Sequence, residues 1–306
     1  MALPVVLADT PLSPSIEAML RPHCSVVPWD ALGPEVAAVY TYGHPRLDGP
    51  MLDALPGVRV ISNFGVGVDH IDLAAAKARG IPVGNTPGIL DGATADMAFC
   101  LLLAAARRLC QGDRYARSPA FLRYDPSYML GREIHGTTLG ILGMGRIGEQ
   151  VAKRARGFGM TVLYHNRSPK PEAEARWVAK DELLSTADHV VLTVPLTPET
   201  RGLIGARELA LMKATATLVN VARGAVVDTD ALAEALSSRR LFAAAVDVTD
   251  PEPLPRGHPL LGLDNLVIAP HLGSATVETR QRMAERSLEN LLAGLAGEPL
   301  PFAVTS

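Results

Sequence analysis

Short apolar runs alternate with amphipathic stretches along the chain, and this alternation predicts a parallel α/β protein. The runs over 5–8, 25–27, 37–40, 59–62 and 81–84 are rich in Val, Ile and Ala, the pattern of strands covered on both faces. Helical patterns such as 72–79 separate them, so a complete α/β unit is legible before residue 94.

An alanine- and leucine-rich helix is expected over 93–111, followed by the irregular segment PAFLRYDPSYML at 119–130. Aromatic side chains in a polar, proline-bounded loop suit a contact with a second copy, so a homodimer joined through an arm over about 112–135 is expected. A second α/β unit follows. Strands are expected over 138–142, 161–164, 189–193, 217–220, 242–246 and 266–269, with helices over 147–158, 206–211 and 230–237. Six parallel strands with short crossovers make a doubly wound sheet. A last helix over 276–292, ending near Gly294, is expected to pack back on the first unit. The expected domains are therefore 1–93 with 271–306, and 94–270 between them.

At 139–148 the sequence LGILGMGRIG runs from strand to turn to helix. Here Gly143 permits a tight turn, Gly145 lets backbone N–H groups approach a pyrophosphate, and Gly148 lets the helix lie close to the sheet. No phosphate-binding lysine follows, which disfavours nucleotide hydrolysis. The next strand and its exit read TVLYHNRS over 161–168, without the carboxylate that would accept from a ribose 2′-hydroxyl. Arg167 with Asn166 and Ser168 can instead hold a 2′-phosphate, favouring NADP(H), with NAD(H) also open and a solvated loop arginine as the plainer reading.

Composition narrows the class. Hydrophobic residues make up 48%, charged residues 20%, and the net charge is −3, which leaves no basic footprint for nucleic acid. The opening MALPVVLAD reads as a strand rather than a leader, and the apolar stretch 97–106 is too short to span a bilayer. Cys24, Cys100 and Cys110 form no CxxC pair. Reduced thiols in a cytoplasmic protein without a metal site are expected.

Three ionisable residues fall at strand ends or just beyond: Arg223 in NVARG, Glu252 in DPEPL and His271 in APHLGS. Open sheets bind ligands at the carboxyl ends of their strands. Reduction of a ketone needs a proton for the oxygen, which a histidine can give near neutral pH. A carboxylate can orient its ring, while an arginine fork holds a substrate carboxylate and polarises the carbonyl. Each also has a plainer reading: His271 as a cap or core histidine, Glu252 as a loop carboxylate, Arg223 as a surface or capping arginine. Spacing alone does not bring them together. The loop NFGVGVDHID at 63–72 can offer consecutive amides to a small carboxylate or serve as a strand-to-helix turn, and His70 in it reads as structural.

Taken together, these motifs resemble those of the D-isomer-specific 2-hydroxyacid dehydrogenases, particularly the glyoxylate/hydroxypyruvate and 2-ketogluconate reductases. The match includes VGVDHID from Val66, NTPG from Asn85, TAD from Thr94, GMGRIG from Gly143, VNVARG from Val219, PEPL from Pro251 and PHLGSAT from Pro270. The resemblance implies a Rossmann-type nucleotide domain inserted into a flavodoxin-like substrate domain, usually dimeric, and NADPH-dependent reduction of glyoxylate, hydroxypyruvate or another small 2-oxo acid such as 2-ketogluconate. It assigns the substrate carboxylate and carbonyl to Arg223, acid–base chemistry to His271 and its support to Glu252. The amides of Val66 and Gly67 are implied to bind the substrate carboxylate. Cofactor contacts are implied at Thr94, Arg146, Ile147, Asn166, Arg167, Ser168, Pro195, Thr200, Val221 and Asp247, with Gly273 lining the pocket. Glu252 stands where the formate dehydrogenases of the superfamily have Gln, which disfavours formate. The arm departs from the reductases in offering Phe121, Tyr124 and Tyr128 in place of tryptophan. Some superfamily members act as dinucleotide-sensing corepressors, which makes a non-enzymatic sensor the competing class.

Overall fold

The computed structural model describes residues 2–304. Their contacts define two units: one takes in the chain up to Leu90 and again from Thr276, and the other is Asp91–Ala275. Both are parallel α/β sheets covered by helices, the layering expected from near-continuous apolar strands.

In the first unit, β1 (Val5–Ala8), β2 (Ser25–Pro28), β3 (Val36–Thr41), β4 (Ile61–Asn63) and β5 (Val83–Gly84) pair in the order β2-β1-β3-β4-β5. This is the flavodoxin-like order. The returning helix Val277–Ala296 packs on β3, β4 and β5. Its buried Ser287 shares a 2.7 Å hydrogen bond with the Tyr40 hydroxyl, and the Ser287 carbonyl accepts from Ser62 Oγ at 2.7 Å. The helix runs past the expected stop near Gly294. A Cβ at Gly294 would lie 2.4 Å from Val60, so that glycine serves close packing, whereas Gly297 has φ 76° and caps the end.

In the second unit, β6 (Thr138–Leu142), β7 (Thr161–His165), β8 (Arg176–Trp177), β9 (His189–Leu192), β10 (Thr217–Asn220), β11 (Ala243–Val246) and β12 (Leu266–Ile268) pair in the order β12-β11-β10-β9-β6-β7-β8. That is the Rossmann order with the switch between β6 and β9. Among the described residues this sheet has seven strands. The two-residue edge strand β8 is too short to leave a periodic signal, and the sequence pattern misses it.

The expected single helix over 93–111 is two helices, Asp91–Ala106 and Leu109–Ala116. Arg108 between them has φ 54°, and the Ala106 carbonyl accepts from Arg132 N at 2.8 Å instead of from the next helical turn. The composition is helical on both sides of the break, which only the returning 131–132 backbone reveals. Among the described residues no helix is long and apolar enough to cross a membrane.

Candidate active site

The glycine-rich turn lies at the carboxyl end of β6, where Gly143 has φ 103° and a Cβ would fall 2.8 Å from Val194 N. At Gly148 a Cβ would sit 2.2 Å from the Gly143 carbonyl, whereas nothing lies within 4 Å of one at Gly145. Two glycines thus permit tight backbone packing, and the third keeps open space at the N-cap of helix Arg146–Gly157, the arrangement that admits a pyrophosphate. The adjoining cavity of about 500 Å³ is lined by Gly143, Gly145, Asn166, Arg167, Pro195 and Thr200, among others. These residues fit a dinucleotide.

The expected cofactor residues differ in what holds them. Arg146 pairs with Asp91 at 3.3 Å, and Ile147 packs at the edge of the core. Asn166 Oδ1 accepts from Met144 N at 2.6 Å, while Arg167 and Ser168 are exposed. The Thr200 hydroxyl donates to the Pro195 carbonyl at 2.6 Å, which fixes that loop. Val221 is buried in the core, so its backbone rather than its side chain is what the site can use. Asp247, Gly273 and Thr94 come together: Asp247 accepts from Leu272 N and Gly273 N at 2.7 Å each, and a Cβ at Gly273 would meet both Asp247 and Thr94. Burial pushes the Asp247 carboxyl up, against the two amides and the nearby His271.

These bonds also shape the loop after β12. His271 N donates to the Asp247 carbonyl at 2.8 Å, and His271 has φ 58°, a left-handed conformation costly for a residue with a Cβ. Its Nδ1 lies 2.7 Å from Glu252 Oε1, and Glu252 Oε2 accepts from Thr249 N at 3.2 Å. The carboxylate is anchored on one oxygen and meets the imidazole with the other. The Arg223 loop reaches the same segment: a Cβ at Gly224 would lie 2.0 Å from Thr249 carbonyl atoms, so only glycine allows this approach. Asn220 ties the loop off, its Nδ2 donating to the Arg223 carbonyl at 2.9 Å and its Oδ1 accepting from Ala222 N at 3.0 Å.

In the first unit, Asn63 Nδ2 donates to the carbonyls of Gly65 and Gly67 at 2.9 and 3.0 Å, and Asn85 Nδ2 to that of Val66 at 2.8 Å. A trans peptide directs the following N–H away from its carbonyl. The amide of Val66 therefore points away from Asn63 and that of Gly67 away from Asn85.

The sequence profile described as D-isomer specific 2-hydroxyacid dehydrogenase, NAD binding domain, matches residues 99–273. The chain belongs to this family. A glyoxylate reductase from Thermococcus gammatolerans is 48% identical over 278 residues, spanning 88% of this chain and 83% of that protein. One from Aeropyrum pernix is 43% identical, spanning 99% and 96%. Among solved structures, an NADPH-dependent glyoxylate/hydroxypyruvate reductase from Sinorhizobium meliloti superposes with a TM-score of 0.91 at 30% identity, covering 99% of this chain and 97% of that one.

Motif reading passes over several residues that brace these loops. Asn63, Asn85 and Asn220 shape the loops that carry the candidate groups. Their signal was present, since each stands inside or beside a quoted motif, but a side chain bonded to its own loop looks like any other polar residue in sequence. Glu199 lines the dinucleotide cavity with Arg167, and the Thr197 hydroxyl 2.7 Å away holds its carboxyl below the usual range.

Proposed function

We propose that this dehydrogenase reduces glyoxylate or hydroxypyruvate to the D-2-hydroxy acid with NADPH as the preferred cofactor. The observation that carries the reading is the 2.7 Å pairing of His271 with Glu252 in the unit that holds the dinucleotide cavity. Bound nicotinamide supplies the hydride to the carbonyl carbon. With Nδ1 committed to Glu252, Nε2 is the imidazole nitrogen that delivers the proton to the carbonyl oxygen. Arg223 holds the substrate carboxylate and polarises the carbonyl. The similarity to a glyoxylate reductase and to a glyoxylate/hydroxypyruvate reductase supports this substrate class.

The NADPH preference rests on the exit of β7, where Asn166, Arg167 and Ser168 stand without an acid. Glu199 in the same cavity moderates the positive charge there. We further propose a homodimer through the 112–135 arm, where Leu122 is 88% and Tyr124 80% exposed.

The test is a panel of glyoxylate, hydroxypyruvate, 2-ketogluconate and bulkier 2-oxo acids, each assayed with NADPH and with NADH. Fastest turnover of the first two with NADPH is expected. Inactivity across the panel would overturn the enzymatic reading in favour of dinucleotide sensing, and a preference for NADH would overturn the cofactor reading alone.

A further inference from the structure

The loop that leaves β7 is tied at both ends by side chains that do not line the dinucleotide cavity. Tyr164, 2% exposed on β7, accepts from Lys170 N at 2.7 Å and donates to the Lys170 carbonyl at 3.0 Å through one hydroxyl. This closes the far end of the loop back onto its own strand. At the near end, the Asn166 carbonyl accepts from Trp177 Nε1 at 3.1 Å, while Asn166 Oδ1 holds the glycine-rich turn through Met144 N. Trp177 is itself placed by pairing with Tyr164 across β7 and β8, and its ring lies 5.9 Å from that of His165, whose Nδ1 is 2.9 Å from the Val178 carbonyl.

Charge follows the same division. The Lys170 ammonium is engaged by Glu149, whereas the charge of Arg167 at the apex faces Glu199 in the same cavity. Arg167 and Ser168 are thus exposed groups on a main chain pinned on either side.

We propose that Tyr164 and Trp177 are positioning residues for cofactor choice, holding the apex of Arg167 and Ser168 in the shape that receives a 2′-phosphate. This rests on the NADPH reading above and extends it to two residues remote from the phosphate. A loop already ordered loses less entropy on binding than one that must be fixed by the ligand. The advantage is greater for NADPH, because NADH lacks the 2′-phosphate that Arg167 and Ser168 would hold. The edge strand β8, two residues long, acquires a role through Trp177: it carries an indole N–H to the Asn166 carbonyl.

The experiment compares Tyr164→Phe and Trp177→Phe with the parent protein by the ratio of kcat/KM for NADPH to that for NADH, beside fluorescence titrations of each cofactor. Tyr164→Phe keeps its ring and loses the hydroxyl, whereas Trp177→Phe keeps an aromatic ring, smaller than the indole, and loses the N–H. The ratio is expected to fall roughly three- to tenfold in each, through weaker NADPH binding. An unchanged ratio, or equal losses with both cofactors, would overturn the proposal. Arg167→Ala separates the two levels. If that variant loses NADPH and NADH equally, the phosphate assignment itself fails. If it is selective while Tyr164→Phe and Trp177→Phe are not, only the positioning role fails.

Discussion

His271 combines a left-handed backbone, φ 58°, with an imidazole paired to Glu252. Such strain persists where surrounding bonds overdetermine it, and here Asp247 supplies them, taking the N–H groups of Leu272 and Gly273 on its carboxylate and that of His271 on its carbonyl. Replacing His271 with Ala should lower kcat by roughly 10²- to 10⁴-fold while NADPH affinity, read by fluorescence titration, stays within about twofold. Unchanged turnover would remove His271 from the chemistry. Glu252→Gln keeps an acceptor and removes the charge, so its kcat should fall by about tenfold or more. The candidate trio was legible as residue types at strand ends. Spacing did not show the pairing, which only the family resemblance implied, because residues 252 and 271 are brought to 2.7 Å by the loops after β11 and β12.

At the scale of elements, the strongest sequence signals were those with a steric cause. Gly148 is one: a Cβ there would strike the Gly143 carbonyl, a backbone atom that cannot rotate away. Gly148→Ala should weaken NADPH and NADH alike and lower stability by roughly 1–3 kcal/mol, seen as parallel losses in titration and thermal melting. Gly294 shows the limit of such reading, since a glycine near a helix end looks like a stop until Val60 is placed against it.

The short helix Ala206–Leu211 depends on charge. Burial alone would raise the Glu208 carboxyl, but bonds from Lys180, Arg207 and the Gly205 N–H bring it down to about 2 from an ordinary 4.5. A depressed folded-state value adds stability that is present above pH 4.5 and is lost as pH falls toward 2. Glu208→Gln should therefore destabilise the protein by roughly 1–2 kcal/mol at pH 7, with the gap closing in denaturant melts as pH falls through that window. A constant gap would reject the ionic explanation.

For the whole molecule, the aromatic arm is the feature with the largest consequence. Its exposed Leu122, Tyr124 and Leu130 give a proposed dimer an apolar surface to bury. Light scattering is expected to give twice the chain mass, and Leu122→Asp should shift the population toward monomer without lowering the melting temperature of the folded chain by more than about 2 °C. A parent protein that is monomeric at micromolar concentration would reject the arm's role.

What the sequence determined by itself was whatever local sterics and periodicity write directly: two runs of parallel α/β structure, the glycine-rich turn, the absence of an acid at the exit of β7, and residue types suited to acid–base chemistry. Tertiary structure decided the rest. Sheet orders depend on which crossover packs where. The helix break at Arg108 depends on a backbone that returns more than twenty residues later to take the Ala106 carbonyl. The pairing of Glu252 with His271 and the bracing of the Arg167 loop by Tyr164 and Trp177 are distances between residues separated in sequence. Hydrophobic period constrains each segment separately, whereas those distances exist only once the packed segments have fixed one another.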